Sequence, residues 1–594
     1  MAKNWREHGV VLSLGVALWL VWMAIFLRYM PNQAGALGHD YALHLPNLLA
    51  GYYWFLGNGP WATPWFTPAE CGGMAYYSDP NVAYFALPQL LSFWVAPLRA
   101  IQITFVSFAL AGFLGAYGLM RRSFGASGPA ALLAGGLFLF NGFYAYRLLA
   151  GHLTFHAFAL APALALALLP GPKAQPIKGR EAALRVVLGA LIMSYMFQSG
   201  MVHGIPPVLL SIATLFLVHG LLFGWRGAPW ALSMGAGVVT LALCAARLNA
   251  ELALLANFPR SLYPLPGVDN PVRETFLLLR ALAGFAGDGG YLVNSPWTMQ
   301  RHEWEYGVSL GAFALLLALP WRPKRLPPED FKRPSGASRA LAWVAIALAM
   351  VAPLAFNFYQ PGWTDFLKSL PYFGSSSSLL RFFSAYILVL VVCAGLALDR
   401  LATSGRARWF LAGLALGVTL IQNLASPKEF YAGQNYDPAP VEAAWLRAEA
   451  SGEAPPIDAV AVNGNLWEGQ SRLNCYQPLF GYRLEVFPKG ALRSGAITLH
   501  NGDALNLKNP ACYVFPGQNA CRPGDAFKIA QSDKAESLAH YRPFEFAPSH
   551  LQILAGWVSA GAQIAAAVAL ALLALGARFP RSAAITIPNE KSEG

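Results

Sequence analysis

The run VVLSLGVALWLVWMAIFL, Val10 to Leu27, and the stretch Gly38-His39-Asp40-Tyr41-Ala42-Leu43-His44 that follows it decide how this chain is read. Lys3 and Arg6 stand before the run. It exceeds the roughly 7–15 apolar residues of a signal-peptide core and has no convincing small-residue cleavage site, which predicts a retained first transmembrane helix with its N-terminus in the cytoplasm. Gly38 to His44 then emerges on the outer face. A carboxylate between imidazoles at the edge of the hydrocarbon is a functional candidate by default.

Outward from that stretch the composition agrees. Charged residues make up 12% and hydrophobic residues 56% of 594 positions, and the mean hydropathy is +0.42. Several runs reach the roughly 20 residues needed to cross about 30 Å of hydrocarbon, and continuous runs suit helices rather than a barrel. The expected fold class is a polytopic α-helical membrane protein. A net charge of +12 does not indicate a nucleic-acid partner, because many of the Lys and Arg residues lie in short loops between spans, where the positive-inside bias puts them.

That bias also orders the chain. Residues 81–97 are apolar but interrupted by Pro88; if they do not cross, every later basic loop falls on one side. These loops include Arg121-Arg122, Lys173 to Arg185, Arg226, Arg322 to Arg333, Arg400 to Arg408, and Arg578 with Arg581. About twelve spans with both termini cytoplasmic satisfy the rule, Leu153–Leu169 and Val308–Leu319 among them. The division that follows is a membrane domain over 1–425 with a first external loop at 31–97, an external domain over 426–550, and a last span with a cytoplasmic tail over 551–594. Trp, Tyr, Pro and Gly in 31–97 predict juxtamembrane helices on the outer surface. Short runs such as Arg483 to Phe487 predict a small β or mixed domain in 426–550. Of six cysteines, Cys71, Cys475, Cys512 and Cys521 fall on the outer side, and Cys512 and Cys521 are close enough to form a small disulfide loop. No Cys/His cluster has metal-ligand spacing.

An N-in first helix, an external loop opening with an acid, aromatic juxtamembrane helices, many further spans and a C-terminal external region resemble the GT-C superfamily of glycosyltransferases. Gly151-His152 and the Arg381 segment are similar to YfhO-type bacterial membrane proteins. The resemblance covers Val10 to Leu424 and is architectural. It implies an inverting transfer of sugar from a polyprenyl-phosphate carrier to a glycan, lipid or protein acceptor of the cell envelope, at the outer face of a bacterial inner membrane. Asp40 is the residue in the place of the catalytic base.

The residues themselves suit that chemistry. A hydroxyl acceptor needs a proton acceptor within hydrogen-bond reach, and the leaving phosphate needs cations. His39 and His44, one before and four after Asp40, are candidates to orient its carboxylate, to bind substrate or carrier phosphate, or to complete a divalent-metal site with Asp79 or Glu70; Asp40 also fits an exposed helix-capping residue, and the two histidines fit interfacial histidines. Asp79, in Tyr77-Ser78-Asp79-Pro80, is the second catalytic carboxylate, ahead of Glu70, although Asp before Pro also starts turns. Asp40, Asp79 and His44 together offer one arrangement for a divalent metal. The cationic candidates for the carrier phosphate are Arg147, His152, His156, His203, Arg280, His302 and Arg381, the last following Ser375 to Ser378. One of Glu303 and Glu305 is expected to face the cavity. Each arginine has the rival role of snorkelling to headgroups. The absence of a phosphate-binding Gly-x-x-x-x-Gly-Lys-Ser/Thr loop argues against an ATP-driven pump. A lipid or polysaccharide transporter or flippase would want paired charges at midspan and internal repeats, and a non-catalytic envelope-assembly partner would leave Asp40 dispensable.

Overall fold

A computed structural model describes residues 2–172, 177, 179–259, 262–285, 292–293, 303–318, 336–426, 428–481 and 483–578. Among these, ten helices are long and apolar enough to cross a membrane: Gly9–Tyr29, Pro97–Ser123, Gly128–Ala150, Gly179–Gln198, Val202–Phe223, Ala228–Asn257, Gly336–Asn357, Leu380–Leu401, Gly405–Ala425 and His550–Leu575. The protein is membrane-embedded and mainly helical. Two of the segments expected to cross are shorter. Leu153–Leu168 joins a 3-10 turn over Leu153–Leu160 to an α-helix over Ala161–Leu168, and only Leu310–Leu317 of the other is helical among the described residues. Residues 81–97 hold a single six-residue helix, Leu87–Ser92, far too short to cross.

The Gly128–Ala150 stretch is broken inside its apolar length. Asn141 caps a new helix, Gly142–Ala150, by accepting from Tyr144 N at 3.0 Å. The break frees backbone donors that hydrocarbon would leave unsatisfied. Gly142 N finds Gly307 O at 2.9 Å, which ties this helix to the turn at Glu303–Tyr306.

The first loop carries the buried helix Tyr41–Asn58 and the two-stranded hairpin Phe66–Thr67/Met74–Ala75. Residues 426–550 contain two three-stranded sheets. In one, Ala459–Ala461 lies between a parallel Gln470–Arg472 and an antiparallel Gly495–Ala496; in the other, Ala504–Lys508 pairs antiparallel with His500–Asn501 and Ala526–Lys528. Arg483 to Phe487 supplies no strand.

This region does not stand apart from the first loop. Asn32 Nδ2 donates to the carbonyls of Tyr431, Ala432 and Gln434, and Leu37 bridges Tyr436. Trp445, on the helix Ala439–Ser451, donates to Ser92 O at 2.8 Å. Phe66 and Met74 share a core with Tyr513 and Phe527. The disulfide Cys71–Cys475, which spans 404 positions of sequence, completes the union, and Cys512–Cys521 closes a small loop within residues 426–550.

Candidate active site in the first loop

Asp40 sits at the N-cap of the Tyr41–Asn58 helix, yet its side chain caps nothing. The carboxylate points instead at three side chains, two of them, His152 and Tyr476, from distant parts of the chain and the third its neighbour His39. Oδ2 lies 2.7 Å from His152 Nε2. Oδ1 accepts from the Tyr476 hydroxyl at 3.1 Å and lies 3.4 Å from His39 Nδ1.

Two glycines make this meeting possible. Gly151 ends the Gly142–Ala150 helix at φ 102°, a left-handed stop in which His152 N donates back to Arg147 O at 2.7 Å. A Cβ on Gly151 would lie 2.6 Å from Tyr41 N, and one on Gly38 would lie 2.3 Å from Leu149 O. Only glycine lets the two backbones touch so closely. Asp40 N donates to Ala150 O at 3.3 Å, and the Tyr41 hydroxyl donates to Leu148 O at 2.6 Å, locking the seam.

Behind His152 the chain of contacts continues inward. Arg147 Nη1 lies 2.9 Å from His152 Nδ1, and Arg147 Nη2 lies 2.7 Å from Glu305 Oε1. Arg147 and Glu305 are both buried. An arginine only donates, so His152 Nδ1 is an acceptor, and the imidazole proton is on Nε2, where it is given to Asp40. His152 in this tautomer is neutral and has no free lone pair. It cannot take a proton from a substrate while both bonds hold, which leaves Asp40 as the basic group of the chain.

The electrostatics follow from these contacts. Burial works against the charged form of Asp40, while the hydrogen bonds from His152 and His39 favour it, and the carboxyl lies below its ordinary range. The hydrogen bond to Asp40 raises the pKa of His39 against the opposing effect of burial. His44 is pushed down to about 4 by burial, which its neighbour Asp40 only partly offsets. It is neutral at physiological pH.

Arg381 approaches the same place from the turn Leu380–Ser384. Its guanidinium lies 5.6 Å from the centre of the Phe155 ring, and that of Arg147 lies 5.3 Å from it. The nearby Ser375 and Ser376 hydroxyls point to Tyr372 O. His203 packs against the Tyr372 ring. Arg280 is on the helix Pro271–Leu282, whose last carbonyl accepts from Val308 N beside the Glu303–Tyr306 turn. Glu305 is the acid of that turn that meets Arg147. The Glu303 side chain and all of His302 fall outside the described residues.

Two sequence candidates stand elsewhere. His156 is fully buried, with Nδ1 at 2.7 Å from Leu153 O and Nε2 at 2.7 Å from the Tyr195 hydroxyl. Asp79 is buried, and its oxygens are taken: Oδ1 by Asn81 N and Nδ2, Oδ2 by Gln477 Nε2 at 2.7 Å. Arg247 donates to the carbonyls of Asp79 and Val82 and pairs with Glu251, so this turn is clamped from the Ala228–Asn257 helix. Asp79, Glu70, Asn47 and Thr67 line a cavity of about 10 Å³ with Tyr476 and Gln477, room for one water. Among the described residues no three or more His, Cys, Asp and Glu side chains are arranged to hold a metal ion, so the arrangement of Asp40, Asp79 and His44 finds no ligand set.

Sequence reasoning overlooked Tyr476, Gln477 and the Arg247–Glu251 pair. The last has a legible signal, an i,i+4 pair inside an otherwise apolar helix. The first two have none at a separation of some 400 positions. No protein-family model matches this chain, and no curated protein matches it.

Two outcomes are expected. Arg147→Met strands buried Glu305 and should cost about 3–5 kcal/mol, with the double variant Arg147→Met/Glu305→Met losing less than Arg147→Met alone; thermal unfolding in detergent reads this, and strictly additive losses would refute the coupling. Burial pushes the Glu70 carboxyl up from 4.5 to about 7, with Arg472 opposing. Folding therefore favours its protonated form, so its contribution to stability falls as pH rises from about 4.5 through 7. Glu70→Gln should flatten that decline in melting temperature; parallel pH curves would contradict it.

Proposed function

We propose that this protein is an integral-membrane glycosyltransferase of GT-C-like architecture that moves a sugar from a polyprenyl-phosphate carrier to a hydroxyl acceptor, with inversion. The observation that carries this reading is the chain Asp40–His152–Arg147–Glu305, which anchors one oxygen of a largely buried carboxylate and leaves the other facing loop groups. In the reaction the acceptor hydroxyl gives its proton to Asp40 Oδ1 as its oxygen bonds to the anomeric carbon. The bond from that carbon to the carrier phosphate breaks with its electrons going to phosphate. Arg381, with Arg147 behind the shared Phe155 ring, supplies the positive field for the departing phosphate. His39 and His152 orient the base. Asp79, whose oxygens are occupied, acts by holding Gln477 rather than by exchanging a proton.

The setting we propose is a bacterial cytoplasmic membrane, with twelve spans, both termini in the cytoplasm, and the first loop and residues 426–550 outside. The disulfides Cys71–Cys475 and Cys512–Cys521 support an oxidising compartment for those two regions. At the rises of 3-10 and α-helix, Leu153–Leu168 extends about 28 Å, close to the hydrocarbon thickness, so its shortness in residues is compatible with crossing.

Asp40→Asn should reduce sugar transfer from a polyprenyl-phosphate donor in nanodiscs by about 10²–10⁴-fold per folded protein, with some fall in melting temperature because folding favours the ionised carboxylate. Full transfer by the variant would sink the assignment.

A further inference from the structure

The two oxygens of Asp40 are not equivalent. Oδ2 is fixed by a 2.7 Å contact to His152, itself backed by the buried Arg147–Glu305 pair. Among the described residues, Oδ1 has the longer contacts, 3.1 Å to the Tyr476 hydroxyl and 3.4 Å to His39, whose own ring is largely exposed. If one oxygen is exchangeable, it is Oδ1.

The tripeptide Cys475-Tyr476-Gln477 approaches that oxygen as a unit. Cys475 is bonded to Cys71, Tyr476 donates to Asp40, and Gln477 donates to Asp79. Its two ends are therefore pinned to the first loop, while the ring between them is only partly buried and rests edge-on against His39 at 5.4 Å. The backbone on either side of the ring is thus held to the loop that carries Asp40.

We infer that Tyr476 is an acceptor-side positioning residue whose hydroxyl occupies, in the resting protein, the place on Asp40 Oδ1 that the acceptor hydroxyl takes during transfer. The inference rests on the glycosyltransferase reading and deepens it. A phenol donating to a carboxylate is the same kind of bond as a sugar or polyol hydroxyl donating to it, so the exchange is nearly balanced in hydrogen bonds. The exchange has two consequences. Tyr476 keeps the carboxylate satisfied and weakly basic until an acceptor arrives. It also lowers the apparent affinity for acceptor by the fraction of time it holds Oδ1. The occupant that displaces it carries an aliphatic hydroxyl, which donates to Oδ1 as the phenol does.

The test uses Tyr476→Phe, which keeps the ring and removes only the hydroxyl, in the full-length protein in nanodiscs. One arm needs no turnover: carbodiimide with an amine nucleophile labels protonated carboxyls, and the rate of Asp40 labelling is followed by peptide mass spectrometry. Loss of the phenol should raise that rate several-fold, and an unchanged rate overturns the inference. The second arm measures transfer at saturating donor, where the acceptor KM should fall about threefold or more with kcat retained. An unchanged or raised KM, or a fall in kcat like that of Asp40→Asn, overturns it too. Transfer that survives in Asp40→Asn instead removes Asp40 as the base, whereas absence of transfer by the unaltered protein removes the enzyme reading; in either case the labelling arm reports on Tyr476 by itself.

Discussion

A buried arginine cannot be left without counter-charge, and that constraint organises this site. Arg147 is drawn into an apolar setting by the broken Gly128–Ala150 stretch, and Glu305 neutralises it at 2.7 Å. With one guanidinium nitrogen committed to Glu305, another fixes the tautomer of His152, and His152 fixes Asp40. Remove the ion pair and the imidazole is free to turn. Aromatic faces from Phe143, Tyr146 and Phe155 surround the guanidinium and exclude water from it.

The same economy explains why the region 426–550 is laced into the first loop. A loop that presents a carboxylate must be held still, and short helices with a two-stranded hairpin have little core of their own. Asn32, Leu37 and His39 hydrogen-bond to residues 431–436, and Cys71 is bonded to Cys475. The segment that closes the site thus comes from the far side of the sequence and lies on the carboxylate it helps to position.

Much of this was legible in the residues. Gly38 to His44 announced itself because an acid beside a membrane helix is costly, and Gly151-His152 and Arg147 because cations are scarce at that edge. Their meeting was not legible: it depends on two glycines whose missing Cβ atoms let Ala150 and Asp40 touch, a property of tertiary contact rather than of pattern. His156 sits four residues from His152, and a regular α-helix would have put both on one face; the Leu153–Leu160 turn is 3-10 and places His156 in the core. Asp79 looked like a second catalytic acid from its loop setting, but its oxygens serve Asn81 and Gln477. Hydropathy found the long helices readily and over-counted length where a helix breaks or tightens.

The central claim is that carrier phosphate and base meet at one place, and direct imaging tests it. An experimental structure in nanodiscs with a polyprenyl-phosphate analogue should show the phosphate within hydrogen-bond reach of Arg381 or Arg147, with Asp40 Oδ1 facing the carbon that bears it. A phosphate bound on the opposite side of the membrane region, or one separated from Asp40 by an intact wall of side chains, would contradict the account.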